Sequence, residues 1–173
     1  MPRTILYIFV GYPGAGKTTI AKYIASQTGA VHLWADEKRH KLFKQVSYSE
    51  AESKKLYDQL NNLCASYLKN GRSVIYDTNF NFYDDRQHLR TIAEKHGAEL
   101  KLIWVTTPAE LARKRAVTES TNSHTRIWGN MAKADFDRIS GRLESPRPSE
   151  AAIKIDGTAI GGSDISSLLE DGS

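Results

Sequence analysis

The chain has 173 residues, with 24 Lys and Arg against 20 Asp and Glu, a formal charge of +4 and a single cysteine. That length builds one domain with a sizeable core, and 40% hydrophobic with 25% charged residues excludes a disordered or membrane-embedded class. One cysteine excludes an internal disulfide and no Cys/His spacing points to zinc, so a reducing, cytoplasmic compartment is the expectation. The charge is uneven. Residues 156–173 hold Asp156, Asp164, Glu170 and Asp171 and no base, so residues 1–155 carry 24 bases against 16 acids, or +8. Such a body suits either a polyanionic ligand, nucleotide phosphate or nucleic acid, or simply a solvated basic surface.

In chain order, the seven apolar residues after Arg3 (Thr4 to Val10) stop at Gly11, too short for a bilayer and without a cleavage site. They predict a strand buried on both faces. Further strands are predicted at 31–35, 73–76, 100–105 and 152–155. Between them lie helical patterns. Leu56, Leu60, Leu63, Cys64, Tyr67 and Leu68 recur at helical spacing before Gly71, and Leu89, Ile92, Ala93 and His96 before Gly97. Pro108 opens a third helix, and Phe136, Ile139 and Leu143 mark a fourth that ends by Pro146. Cys64 lies on its apolar stripe and reads as core. The alternation predicts an α/β fold with a mainly parallel sheet and helices on both faces, whose ligands bind beyond the carboxyl ends of the strands. Residues 1–158 form the predicted domain, and 159–173 an acidic tail or short final helix.

Gly11-Tyr12-Pro13-Gly14-Ala15-Gly16-Lys17-Thr18 fits G-x-x-x-x-G-K-[ST] between an apolar strand and a helix carrying Ile20, Ala21, Ile24 and Ala25. Such a loop turns its N–H groups inward on phosphate oxygens, and the following helix adds its positive end. Gly11, Pro13, Gly14, Ala15, Gly16, Lys17, Thr18 and Thr19 are therefore expected to bind ATP, with Lys17 at the β/γ-phosphates and the Thr18 hydroxyl on Mg²⁺. No N-K-x-D guanine reader is present; Ala132-Lys133-Ala134-Asp135 lacks the Asn.

A small phosphotransferase also needs acceptor activation, acceptor grip, a charge-stabilising arginine and a lid. Asp36 follows the second strand, placed either to take a hydroxyl proton or to cap a helix; Arg39 lies on its side, one turn on. Asp77, Thr78, Asn79, Phe80 and Asn81 follow the third strand, as a turn or as a grip on a hydroxyl or a Mg²⁺-bound water. Arg86 and Arg90 follow one turn apart, Arg86 as a weaker acceptor candidate and Arg90 as a solvated one. Arg113, Lys114 and Arg115 precede a polar stretch running to Asn130, which suits a lid over ATP or a basic surface loop. The five histidines show no ligand spacing.

The cradle, Asp36-x-x-Arg39, Asp77-Thr78-Asn79 and the arginine-bearing lid together resemble the polynucleotide 5′-hydroxyl kinase-like P-loop kinases over about residues 3–158. The resemblance implies a three-layer sandwich around a five-stranded parallel sheet in order 2-3-1-4-5. It implies Asp36 as general base, Arg39 on the acceptor's phosphate, Asp77 at the acceptor end, and lid arginines on the ATP phosphates and base. The family's lid arginines are often four apart, whereas Arg113 and Arg115 are two apart, leaving Arg126 to supply a further lid charge.

The expectation is an ATP- and Mg²⁺-dependent kinase, with Lys17, Asp36 and Arg115 in the transfer, Arg113 on ATP, and Arg39, Asp77, Asn79 and Arg86 on the acceptor. The acceptor is expected to be a polynucleotide 5′-hydroxyl or, alternatively, a small-molecule hydroxyl (sugar acid, nucleoside, antibiotic or amino sugar). A regulatory ATP-binding module without an acceptor is the third reading. No membrane partner is expected, and the sequence is silent on oligomeric state.

Overall fold

The N-terminal apolar run forms β1 (Ile5–Val10), buried at every position after Ile5 because strands flank it on both edges and helices cover both faces. A computed structural model of the chain describes residues 2–119, 130–158, 160, 165, 166, 168 and 169. After β1 come α1 (Lys17–Thr28), β2 (Val31–Trp34), α2 (Ala35–Leu42), α3 (Glu50–Lys69), β3 (Val74–Asp77), α4 (Tyr83–Lys95), β4 (Glu99–Val105), α5 (Ala109–Val117), α6 (Lys133–Gly141) and β5 (Ile153–Ile155). The five strands form one sheet in the order β2-β3-β1-β4-β5, every pair parallel. In register, Leu6 faces Val74 on one side and Leu100 on the other.

Strand alternation sorts the core into two layers. Leu6, Ile8, Val10, Leu33, Val74, Tyr76 and Leu102 face Leu56, Leu60, Cys64 and Leu68 of α3 and Leu89 and Ala93 of α4. Tyr7, Phe9, Ile75, Ile103, Val105 and Ile155 pack on the other side against Ile20, Ala21 and Ile24 of α1, joined by Ile165 and Leu168. Lys101 Nζ reaches the Leu168 carbonyl at 2.9 Å, tying that residue to β4. The α3 stripe is therefore core as expected, and burial pushes the Cys64 thiol up to about 12.

Two local expectations change. β2 stops at Trp34, and Ala35 and Asp36 already belong to α2, whose capping residue is Trp34 without a side-chain bond. Asp36 is thus no cap; it lies in the first turn, where its charge favours the helix. Pro108 stands one place before α5, as its capping residue. Within the described residues no helix is long and apolar enough to cross a membrane.

Candidate active site

The carboxyl ends of β1, β2 and β3 lie side by side, and each hands its chain directly to a polar segment. Beyond β1 the cradle turns through Gly14 (φ 80°) and Gly16 (φ 109°), backbone that disfavours side chains. At Gly14 a Cβ would also collide with the Ala112 carbonyl of α5. Lys17 is buried, its ammonium donating to Gly11 O at 3.0 Å and Tyr12 O at 2.6 Å. Thr18 and Thr19 occupy the first turn of α1, half-buried and exposed respectively.

The cradle is braced from two sides. Thr107, in the turn after β4, donates its hydroxyl to Ala15 O at 2.7 Å. The turn after β5 packs so closely that a Cβ on Gly157 would strike both Thr107 Oγ1 and Ala15 O. Arg115 donates to Gly157 O at 2.7 Å and Thr158 O at 3.0 Å, which fixes α5 to that turn beside the cradle. Arg113 instead meets Asp137 of α6 at 3.5 Å, and Lys114 meets Glu119. Tyr12 packs on Ala112, Ala116 and Phe136, so α5 and α6 rest on the cradle itself. Arg126, with the rest of 120–129, lies outside the described residues.

On the acceptor side, Asp36 is exposed and Arg39 is buried on the same helix. Arg39 is already engaged: Nη1 donates to Glu52 Oε1 at 2.6 Å and Nη2 to Ser53 Oγ at 3.3 Å, both on α3. The Glu52 carboxylate also accepts from Ser47 N and Ser47 Oγ, each at 2.8 Å. The Ser47 amide foremost, with the Arg39 guanidinium, holds Glu52 down at about 2. This Arg39–Glu52 pairing is a feature that spacing could not disclose.

Asp77 is 3% exposed and ends β3, directly beside β1. Its Oδ2 lies 2.9 Å from Nε2 of His32 on β2, a ring stacked on Trp34. His32 therefore joins the site through a cross-strand contact. Thr78 Oγ1 pairs with the Tyr57 hydroxyl of α3 at 2.8 Å, and Asn79 is exposed. Asn81 accepts from Gly11 N at 3.2 Å and from Glu144 N at 2.8 Å, while its Nδ2 is buried with no hydrogen-bond partner among the described residues. Near it, a cavity of about 270 Å³ opens between Gly11, Tyr12, Trp104, Thr106, Leu143 and Ser145.

Arg86 is engaged inside the molecule. It is 1% exposed, with Nε and Nη2 on the Glu150 carboxylate at 2.7 and 3.0 Å and Nη1 on Phe80 O at 3.0 Å. Those bonds tie α4 to the turn before β5. Arg90 is half-buried, near the Glu150 carbonyl. Among the described residues the Thr18 hydroxyl, in the first turn of α1, is a hard oxygen of the kind that would hold Mg²⁺ together with phosphates.

A loop of this sequence at the end of β1, in a sheet of this order, defines a P-loop protein with the fold of the P-loop kinases. The chain belongs to the AAA domain family, whose profile matches residues 6–145. Three solved structures are similar in fold. A Chloroflexus aurantiacus j-10-fl protein, provisionally designated a kinase, has a TM-score of 0.76 at 17% identity, covering 100% of both chains. Kti12 of Chaetomium thermophilum, in complex with ADP-AlF3, has a TM-score of 0.76 at 16% identity over 96% of each chain. A chain of the Pnkp1/Rnl/Hen1 RNA repair complex has a TM-score of 0.67 at 23% identity, over 83% of this chain and 45% of that one. No curated protein matches the sequence.

Proposed function

We propose that the chain is an ATP- and Mg²⁺-dependent kinase that moves the γ-phosphoryl group to a hydroxyl, with a polynucleotide 5′-hydroxyl as acceptor. The observation that carries this reading is the row of strand ends: the cradle after β1, Asp77 closing β3 beside it, and Asp36 just past β2. In that row a triphosphate on Gly11–Thr19 meets an acceptor approaching from the Asp36 side.

Each residue then has a role. The 11–19 backbone and Lys17 hold the phosphates, the ammonium moving from the Gly11 and Tyr12 carbonyls onto the β/γ oxygens. Thr18 would hold Mg²⁺, which supplies charge neutralisation at the phosphates. Asp36 accepts the acceptor's hydroxyl proton. Arg39, Asp77 and Asn79 line the acceptor, and His32 orients the Asp77 carboxylate. Arg113 and Arg115 belong to the nucleotide side, with Arg115 steadying the transferring group once released from the 157–158 carbonyls. The ADP-AlF3 bound to Kti12 supports a nucleotide in this fold, and the RNA repair complex supports the polynucleotide acceptor.

A second acceptor class has its own support. Glu52 neutralises Arg39, so the wall offers less charge to a phosphate than the sequence alone suggests. An uncharged small-molecule hydroxyl suits that balance. Transfer of labelled γ-phosphate from ATP, across 5′-hydroxyl oligonucleotides and a panel of sugars, sugar acids and nucleosides, separates the two. Labelled oligonucleotide is the expected product. Label on a small metabolite alone replaces the acceptor, and ATP binding with no labelled product makes the chain a regulatory module.

A further inference from the structure

One aromatic on the acceptor wall is placed in a way the core does not require. Tyr48, in the loop between α2 and α3, is 59% exposed, yet its backbone has φ 53°, the left-handed region that favours glycine. Among the described non-glycine residues only Ala151 shares this. A bulky residue stays in such a conformation when its surroundings over-determine it, and these positions concentrate at functional sites.

Here the surroundings are specific. The Glu52 carboxylate accepts from Tyr48 N at 3.3 Å as well as from Ser47, which fixes the turn. Its other commitment is Arg39, and the Arg39 guanidinium carbon lies 4.8 Å from the centre of the Tyr48 ring. One carboxylate thus sets both the ring and the cation beneath it. Arg39 stands one helical turn from Asp36. The exposed ring is therefore held on Arg39, one helical turn from the residue proposed to take the acceptor's proton.

We propose that Tyr48 is a stacking platform for the base of the acceptor's terminal nucleoside, with Arg39 stiffening it from below. The inference rests on the polynucleotide reading above and assigns its specificity element. A rigid ring with much of its surface in water offers stacking that is indifferent to base identity. Cations for the following phosphates flank it in the chain, Lys38 on α2, Lys44 after it and Lys55 of α3 over the Phe43 ring, while Lys41 is paired with Glu37.

The test is steady-state transfer to 5′-hydroxyl oligonucleotides, with or without a base on the terminal residue, by wild type and Tyr48→Ala, Tyr48→Gly and Tyr48→Phe. Tyr48→Ala and Tyr48→Gly are expected to raise the acceptor KM by about 5- to 150-fold, with kcat and the ATP KM unchanged. Tyr48→Phe restores the KM, and an acceptor abasic at its 5′ end no longer distinguishes wild type from Tyr48→Ala. Tyr48→Gly keeps or raises Tm, because glycine relieves the positive φ; the loss of acceptor affinity is then separate from any loss of fold. An unchanged KM in Tyr48→Ala, or an equal penalty on the abasic acceptor, overturns the platform while leaving the kinase reading intact. Absence of transfer to every oligonucleotide by the wild type overturns the polynucleotide reading and the platform with it.

Discussion

The two halves of the site are built by different means. The nucleotide half is one contiguous loop whose shape comes from its own backbone, closed from outside by Thr107, Gly157 and the α5–α6 pair. The proposed acceptor half is assembled from α2, α3 and the end of β3, and its side chains engage one another: Arg39 pairs with Glu52, and Asp77 lies against His32. On the proposed reading, phosphates meet a preformed backbone cradle, whereas an acceptor must displace partners from side chains already engaged.

Several substitutions test that division, beginning with the largest effect. Lys17→Ala removes the cation that meets the phosphates, and transfer is expected to fall by about 10²–10³ with ATP affinity reduced. An unaltered ATP Kd by calorimetry would remove Lys17 from the nucleotide half. Arg86→Ala should instead act on the fold, leaving the Glu150 carboxylate buried without its guanidinium. Stability is expected to drop by about 3–5 kcal/mol, read by urea unfolding. If the variant keeps its stability and loses only acceptor affinity, Arg86 returns to the acceptor half.

Titration sharpens the contrast further. Because Glu52 is depressed from its usual 4.5 to about 2, its stabilising contribution is complete above 4.5 and is lost as pH falls toward 2. Glu52→Gln should flatten that acid limb in urea midpoints measured from pH 5 to 2, whereas an unchanged limb would place the acid sensitivity elsewhere. Cys64 marks the opposite limb. Its thiol is raised from 9 to about 12, so its contribution is complete below pH 9 and fades as pH rises toward 12. At neutral pH the smallest effect is expected: native protein resists thiol labelling, and labelling appears with unfolding.

What the sequence disclosed follows the same division. The residues of the cradle are neighbours in the chain, so Gly11–Thr18 could be read as a unit, and the α3 stripe at Leu56, Leu60, Cys64 and Leu68 followed from periodicity. The family resemblance supplied the strand order that the sheet adopts. The partner of Arg86, Glu150, is 64 residues away. Nothing at spacing three or four betrays such a pair. His32 and Asp77 are likewise 45 residues apart and meet only through the β2–β3 pairing. Asp36 reads as a cap only because the end of β2 is set by tertiary pairing, which local propensity does not see. The +8 of residues 1–155 is also less available than it looks, since Arg39, Arg86 and Arg115 are engaged inside the molecule.

One half of the site is proposed to hold ATP while the other activates the acceptor. Asp36→Asn tests it most directly, by single-turnover γ-phosphoryl transfer alongside ATP binding on the same preparation. The account predicts an unchanged ATP Kd with transfer slowed by about 10²–10⁴. Transfer at the wild-type rate, or loss of ATP binding in step with transfer, would contradict it.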